Sequence, residues 1–228
     1  MIKGDLRKKQ ILKTAEELFF EKGYEKTSVQ NILDVLRLSK GSFYHHYESK
    51  EQLLRQICEN RAAASSEQFT RMLQTTNGIP GINQVFSAMI PFNGEGLAFL
   101  KLILPVFNLP EGRSVREGYQ EALKEAWLPI TIKTLKNAMK TEEIYCTSPE
   151  IISHICIDLI NDLWYKICLR FIQYEGEKSP EEFMNDILNW LSVYRSALEN
   201  ILTAPYGSLE LIQLPDLQSL YQAIKTSK

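Results

Sequence analysis

Hydrophobic residues recur three and four positions apart along most of the chain, and the strict alternation typical of half-buried strands is missing. The pattern therefore predicts an all-α protein. The first predicted helix covers residues 5–22, and Gly23 follows it where a C-terminal cap belongs. The apolar face of this helix comprises Ile11, Leu12, Ala15, Leu18 and Phe19.

Cap sequences predict where the next three helices begin. Thr27 and Gln30 form a T-x-x-Q capping box at the start of the second helix, and Ser39 begins a short third helix. Ser49 and Gln52 form another such box at the start of a longer fourth helix. Four helices are therefore expected in the first third of the chain.

Glycine and proline residues separate the remaining helices. Pro149 and Pro180 each follow a serine, as in capped helix starts, and Pro129 is expected to kink or split the helix that contains it. The simplest organisation is a small N-terminal domain of residues 1–50 and a larger helical domain of residues 51–228. The later helices are predicted near residues 81–90, 95–108, 113–140, 149–174, 180–204 and 208–224.

The linker between the second and third helices is only Arg37 and Leu38, which favours a steep crossing of the two helices, as in a helix-turn-helix. Phe43 is the large apolar residue that should anchor the third helix. The other residues offer hydrogen-bond donors, an aromatic face and a small backbone surface, which suit the major groove of DNA. These residues are Lys40, Gly41, Ser42, Tyr44, His45 and His46.

Charge is distributed unevenly along the chain. The formal net charge is −2, but residues 1–50 hold ten basic and seven acidic side chains, which gives +3 and leaves −5 for residues 51–228. The basic N-terminal end is therefore the candidate contact for a polyanion.

The sequence SKGSFYHHY from Ser39 to Tyr47, followed by SKEQL from Ser49, closely resembles the recognition helix of TetR family transcriptional regulators and the start of their next helix. The resemblance covers about residues 6–56. It implies that Lys40, Gly41, Ser42, Tyr44 and His45 face the bases. It implies that Thr27, Ser39, His46, Tyr47 and Lys50 mainly face phosphates.

The turn of the motif departs from the family pattern. The family usually has glycine in this turn, and this chain has Arg37, which indicates a non-glycine turn geometry and a further phosphate contact. The second helix has Leu33 and Leu36 where the family usually has small residues.

Two late helices have apolar arcs wide enough to fill a core and still leave surface to bury. The resemblance implies that such a pair forms the four-helix bundle of a homodimer. A dimer would place two recognition helices about one DNA turn, ~34 Å, apart on a palindromic operator. The predicted dimer residues are Ile155, Leu159, Leu163, Ile187, Leu191, Tyr194 and Leu198.

The resemblance also favours a cavity for an unknown small-molecule effector that releases a repressor from its operator. Its aromatic walls are predicted at Phe99, Phe107, Tyr119, Trp127, Trp164 and Tyr165, although plain core packing explains any single one of them better. The alternative is a TetR-like DNA-binding protein whose body binds a protein partner.

Other classes of function have little support in the sequence. Cys58, Cys146, Cys156 and Cys168 form no metal-binding motif, and they are expected to be buried thiols. No metal, cofactor or enzyme motif is found. Asp162 and Lys166 are expected to form an ion pair on a solvated helix face. No signal peptide or membrane span is recognised, so a cytoplasmic protein is expected.

Overall fold

The computed structural model describes residues 3–72, 76–92, 94–176 and 179–225, and all regular structure among them is helical. The all-α prediction is confirmed. A 3₁₀ turn, Pro110–Gly112, lies between the sixth and seventh helices. The helices are α1 (Lys3–Lys22), α2 (Val29–Leu36), α3 (Lys40–Tyr44), α4 (Lys50–Met72), α5 (Gly78–Ala88), α6 (Gly94–Phe107), α7 (Arg113–Lys140), α8 (Pro149–Gln173), α9 (Pro180–Leu202) and α10 (Leu214–Lys225).

The packing divides the chain into two compact units. The first unit comprises residues 1–64 and 99–122, and the second comprises residues 65–98 and 123–228. Residues 51–64 therefore pack with the N-terminal helices. The boundary at residue 50 does not coincide with this packing division, and as a division between functions it stays a prediction.

The core of the first unit begins on α1. Ile11, Ala15 and Phe19 are fully buried, as the helical spacing predicts. Gly23 ends the helix with φ +86°, and its N–H donates to the carbonyl oxygen of Phe19 at 3.0 Å. The predicted glycine cap is therefore confirmed, because this left-handed conformation costs glycine little.

In the second unit α8 packs against α9. Ser179 and Glu182 form a reciprocal capping box at the start of α9, with distances of 3.2 and 2.9 Å. On the exposed side, Lys166 pairs with Asp162 at 2.9 Å, as predicted, and the Tyr194 hydroxyl donates to the same carboxylate. The predicted ion pair on the solvated face of α8 is confirmed.

The C-terminal helix is shorter than the predicted range of residues 208–224. Residues 208–213 are not helical, because side chains of other helices bind their main chain. The Leu209 N–H donates to Glu199 at 3.1 Å, and the Glu210 N–H donates to Asn83 at 3.0 Å. These contacts compete with helical hydrogen bonds, so α10 begins only at Leu214.

Pro129 does not split α7, which continues from Arg113 to Lys140. Of the two predicted effects of Pro129, the split does not occur, and the kink stays a prediction. All four cysteines are buried and none is in a disulfide, as expected. Among the described residues, no helix is both long and apolar enough to cross a membrane.

Candidate nucleic-acid interface

The second helix of the motif begins one residue later than predicted. Ser28, not Thr27, is the N-cap: its hydroxyl accepts from the Asn31 N–H at 3.1 Å, and its own N–H donates to the Asn31 side chain at 2.8 Å. Asparagine at the third position therefore replaces the expected glutamine in the capping box.

Thr27 is fully buried instead of facing DNA. Its hydroxyl donates to the Gly23 carbonyl oxygen at 2.9 Å, and its N–H donates to the Tyr24 carbonyl oxygen at 3.1 Å. Both donors are occupied between α1 and α2 and no part of the residue reaches the surface. The predicted phosphate contact of Thr27 is therefore wrong.

The turn between α2 and α3 keeps the conformation that glycine favours. Arg37 has φ 51° and ψ 48°, the left-handed region, and its N–H donates to the Asp34 carbonyl oxygen at 3.4 Å. The expected non-glycine turn geometry is therefore wrong. The left-handed conformation costs a residue with a Cβ about 1–2 kcal/mol. The exposed Arg37 side chain can still reach a phosphate.

The α3 helix is anchored by its single buried side chain. Phe43 is fully buried and contacts the ring of Tyr44 edge-to-face, with centroids 5.3 Å apart. The Ser39 hydroxyl caps the helix by accepting from the Ser42 N–H at 3.3 Å. The predicted anchor and helix start are both confirmed.

The remainder of α3 is available to a ligand. Tyr44 is 56% exposed, and Lys40, Gly41 and His45 are also exposed. His46 is partly exposed, and its ring lies 4.9 Å from that of His45. A helix that buries one residue and presents lysine, tyrosine and histidine to solvent has the donors needed to contact DNA bases and phosphates.

Tyr47 belongs to the core of this unit. It is 2% exposed, and its hydroxyl donates to the Lys8 carbonyl oxygen at 3.5 Å. Burial raises the pKa of the phenol to about 12. Its predicted phosphate contact is therefore wrong, because the ring packs against Phe43 and its polar end meets α1.

Lys50 is partly buried at the start of α4. Its ammonium donates to the Tyr24 carbonyl oxygen at 2.9 Å and lies 4.0 Å from the centre of the Tyr24 ring. Burial lowers the pKa of this amine, and the negative charge of Glu25 partly offsets the effect. Lys50 thus joins α4 to the α1–α2 loop, and its phosphate contact stays a prediction.

The aromatic residues predicted to line a cavity fall into separate groups. Phe99 and Phe107 both contact Tyr119 in the first unit, at 5.7 and 6.1 Å between ring centroids. In the second unit Trp164 contacts Tyr165 at 6.1 Å, and the Trp127 indole donates to Ser65 at 3.3 Å. These contacts are those of core packing, and an effector cavity at these residues stays a prediction.

The structure contains a cleft that the sequence did not reveal. It has a volume of about 230 Å³ and lies where α5, the segment before α10 and the start of α10 meet. Its position depends on the non-helical course of residues 208–213, which no local pattern indicates. It is lined by Gln84, Ser87, Ala88, Ile90, Phe92, Leu211, Ile212 and Asp216.

Three of the residues predicted for a dimer interface lie in the core of the protomer. Leu163, Ile187 and Leu198 are buried, because they lie on the faces that pack inside the second unit, so their assignment to the interface is wrong. Ile155 is 40% exposed, and Leu159, Leu191 and Tyr194 are partly exposed.

Three accessible apolar residues on the same two helices were missed. Ile151 is 63% exposed, Val193 is 59% exposed and Leu188 is also exposed. The spacing gave a signal for two of them, since Ile151 lies four residues before Ile155 and Leu188 lies three residues before Leu191.

Sequence comparison identifies relatives over most of the chain as well as of the motif. The family model "Bacterial regulatory proteins, tetR family" matches residues 11–57. IcaR of Staphylococcus epidermidis, the negative transcriptional regulator of the biofilm operon icaADBC, is 40% identical over 189 residues, which are 82% of this chain and 98% of IcaR. UidR of Escherichia coli K12, an HTH-type transcriptional regulator, is 28% identical over 86% of this chain and 92% of UidR.

Other relatives match over a shorter part of their length. The alignments span 45% of Bacillus subtilis YerO, an HTH-type transcriptional regulator, and 57% of the Escherichia coli Tn10 TetC protein. Their identities are 29% and 26%, over 58% and 48% of this chain.

Solved structures share the fold. RolR in complex with resorcinol has a TM-score of 0.56 at 10% identity, covering 96% of this chain and 94% of RolR. Salmonella enterica GusR has a TM-score of 0.54 at 17% identity, covering 90% of this chain and 99% of GusR. With the exposed α3 helix, the family match and IcaR, these similarities show that the chain belongs to the TetR family of helix-turn-helix transcriptional regulators.

Proposed function

We propose that this protein is a homodimeric repressor that binds a palindromic operator through α3 and is released by a small-molecule effector. The observation that carries the proposal is the contrast on α3: Phe43 is fully buried, and Lys40, Tyr44 and His45 are exposed. A short helix that is held in place by one buried residue can enter the major groove with its polar residues towards the DNA.

The proposed contacts combine the exposure of these residues with the roles that the family resemblance implies. Lys40, Gly41, Ser42, Tyr44 and His45 face the bases. Arg37, Ser39, His46 and Lys50 contact phosphates, which set the position of the helix and make the affinity depend on salt. Thr27 and Tyr47 have no part in the interface, since both are buried.

Dimerisation supplies the second recognition helix. A single α3 reads one half-site, and two copies related by twofold symmetry read a palindrome with half-sites about one DNA turn apart. The exposed and partly exposed apolar residues of α8 and α9, among them Ile155 and Leu191, form the proposed dimer face.

Repression and release complete the proposal. IcaR is a negative transcriptional regulator, and its similarity to this chain supports repression as the function of this chain as well. An effector can release the operator only by binding more tightly to the conformation whose recognition helices do not fit it. A compound that binds both conformations equally has no effect.

The first test is a selection of the purified chain against random duplex DNA at fixed salt, followed by binding measurements over a range of salt concentrations. We expect an enriched palindrome with half-sites about one turn apart. Weak, sequence-independent binding that disappears as salt rises would contradict the proposal, because phosphate contacts alone behave in that way.

Alanine variants test the assignment of α3. Lys40→Ala and Tyr44→Ala should each weaken specific affinity by roughly 10–100-fold, since a good base contact contributes about 1–3 kcal/mol. Lys133→Ala is the matched control, because it removes one exposed lysine from α7, away from the motif. Unchanged specific affinity in both α3 variants would rule out α3 as the reading helix.

A body that binds a protein partner is the second candidate. The large exposure of Ile151 and Val193 favours it, because exposed apolar residues on adjoining helices suit a protein partner. Sedimentation of the purified chain distinguishes the two. A dimer at micromolar concentration supports the homodimer, and a monomer that binds a palindrome only when another protein is added supports the second candidate.

A further inference from the structure

The cleft between α5 and α10 has walls that hydrogen bonds hold together. The Asn83 side chain on α5 donates to the Ser208 carbonyl oxygen at 3.0 Å and accepts from the Glu210 N–H at 3.0 Å. One turn further along α5, the Ser87 hydroxyl donates to the Glu210 carbonyl oxygen at 2.9 Å. The two walls therefore keep their separation before a ligand arrives, which lowers the entropic cost of binding.

Part of the cleft wall is apolar and buried. Ile90, Phe92 and Leu211 line the cleft, and each is at most 3% exposed. An apolar group that packs against them loses its contact with water, which favours binding. The volume of about 230 Å³ suits a small molecule. At roughly 30 Å³ for each water-sized group, the cleft has room for about eight non-hydrogen atoms.

One side chain that lines the cleft carries a charge. Asp216, in the first turn of α10, is partly buried, and no basic side chain pairs with it in the part of the chain that the structure describes. The polar lining residues of α5 already have partners, because Ser87 binds the Glu210 main chain and the Gln84 side-chain carbonyl accepts from the Thr76 hydroxyl at 2.7 Å. Asp216 is therefore the lining group best placed to bind a charged ligand.

The segments that form the cleft add no positive charge. Residues 76–92 contain no Asp, Glu, Lys or Arg, and the charged residues of 203–222 are Glu210 and Asp216, both acidic. A carboxylate that is partly removed from water attracts a cation more strongly than a fully solvated one, because the local dielectric constant is lower. The charge therefore favours a cationic ligand, and the apolar wall favours one with an apolar group.

We propose that this cleft binds a small organic ammonium ion. Its ammonium group pairs with the Asp216 carboxylate, and its apolar group packs against Phe92 and Leu211. A divalent metal ion does not suit the cleft, since Ca²⁺ and Mg²⁺ need six or more oxygen ligands and the wall beside Asp216 is largely apolar. The proposed DNA contacts include none of these residues.

Ligand-detected NMR on the full chain without DNA tests the proposal at fixed pH and physiological salt. Benzylammonium, which has about the size given above, is the probe. Benzyl alcohol is the neutral control of the same shape, and benzoate is the negatively charged control. We expect benzylammonium to bind at least roughly 10-fold more tightly than benzyl alcohol, as a charge-assisted hydrogen bond provides, and benzoate to bind most weakly.

Asp216→Asn removes the charge and keeps the shape of the side chain. It should weaken benzylammonium binding roughly 10-fold and leave the affinity for benzyl alcohol unchanged. Glu210→Gln is the matched control, because it removes a neighbouring negative charge that is exposed and does not line the cleft. Its effect should stay within about threefold, since salt screens exposed charges. Circular dichroism verifies the helicity of each variant.

A second pair of variants tests the place of binding. Ala88 lines the cleft, so Ala88→Leu should fill it and weaken the binding of both benzylammonium and benzyl alcohol. Ala98→Leu, at an exposed position of α6, should change neither affinity. In the unmodified chain, a ligand that joins α5 to residues 208–213 should also slow hydrogen exchange at the Leu209 and Glu210 amides.

Three results would overturn the proposal. The first is no binding of benzylammonium at millimolar concentration, and the second is equal binding of benzyl alcohol. The third is an equal loss of affinity in Asp216→Asn and Glu210→Gln, which would indicate a general attraction of cations to this surface. None of them affects the proposed DNA-binding function, because that function is measured separately with duplex DNA.

Discussion

The ammonium of Lys50 lies 4.0 Å above the ring of Tyr24 and donates a hydrogen bond to the carbonyl oxygen of the same residue at 2.9 Å. Tyr24 thus stabilises the charge of Lys50 in two ways, through its ring and through its carbonyl oxygen. The interaction links the start of α4 to the loop after α1, so Lys50 contributes to the stability of the first unit as well as to its positive charge.

Replacing Lys50 by methionine should lower the free energy of unfolding by about 1–2 kcal/mol, because a cation–π contact and a charged hydrogen bond are lost together. Urea unfolding measures this difference. Lys40→Met is the control, since Lys40 is exposed on α3, and it should weaken DNA binding without a loss of stability. An unchanged unfolding midpoint for Lys50→Met would show that the contact contributes nothing.

Arg37→Gly should stabilise the protein by about 0.5–1 kcal/mol. The left-handed conformation disfavours arginine by about 1–2 kcal/mol, and the greater freedom of glycine in the unfolded chain offsets part of the gain. Thr203, with φ 49° at the end of α9, has the same conformation, so Thr203→Gly is a matched control that should also be stabilising.

The salt dependence of DNA binding distinguishes Arg37→Gly from Thr203→Gly. If Arg37 contacts a phosphate, Arg37→Gly reduces the slope of log affinity against log salt by about one unit, and Thr203→Gly does not. Equal slopes in both variants would remove Arg37 from the interface, and destabilisation by Arg37→Gly would contradict the left-handed turn.

Tyr47 should make the stability fall at high pH. Its phenol has a pKa of about 12 in the folded chain and an ordinary value of 10.0, so the folded state holds the proton more tightly than the unfolded state. The contribution to stability is complete below pH 10 and is lost as the pH rises from 10 towards 12.

Comparison with Tyr47→Phe isolates this effect from other groups that titrate in the same range. Urea unfolding between pH 8 and pH 11 should show a steeper loss of stability for the unmodified chain than for the variant. The same loss of stability with pH in both proteins would mean that folding does not raise the pKa of the Tyr47 phenol.

Glutamate on the proposed dimer face should separate the protomers without unfolding them. Ile155→Glu and Leu191→Glu place a charge on residues that solvent already reaches, and a buried unpaired charge at a dimer interface is costly. Sedimentation velocity should show monomers with unchanged helicity.

Leu214→Glu on α10 is the matched control, since Leu214 is also an exposed leucine. It should remain dimeric. Leu163→Ala should instead destabilise the protomer by about 2–5 kcal/mol, because it creates a cavity in the core. Persistence of the dimer in both glutamate variants would place the interface elsewhere.

Local signals predicted much of the motif. Gly23 ends α1, Ser39 caps α3 and Phe43 is the buried anchor, and each of these features depends on residues within one helical turn. Helical spacing also predicted the buried face of α1. Such features could be predicted because hydrogen bonds and apolar periodicity within one helix depend on neighbouring residues alone.

These errors arose where the partner of a side chain lies on another element of the fold. Thr27 and Tyr47 have the residue types of DNA contacts, but Tyr47 reaches the main chain of Lys8, 39 residues away, and Thr27 reaches the carbonyl oxygens of Leu18 and Gly23 at the end of α1. Leu163 and Ile155 lie on the same helix, and only the packing of α8 against the other helices of its unit decides which of them is buried.

The sequence by itself determined the helical class, the family motif and the polar surface of α3, because these depend on local patterns. Only the tertiary structure decided that Tyr47 is buried against α1, that residues 208–213 are not helical and that Met139 meets Cys146. These features depend on backbone and side-chain groups that become neighbours only when the helices pack, and their burial and hydrogen bonds outweigh local preference.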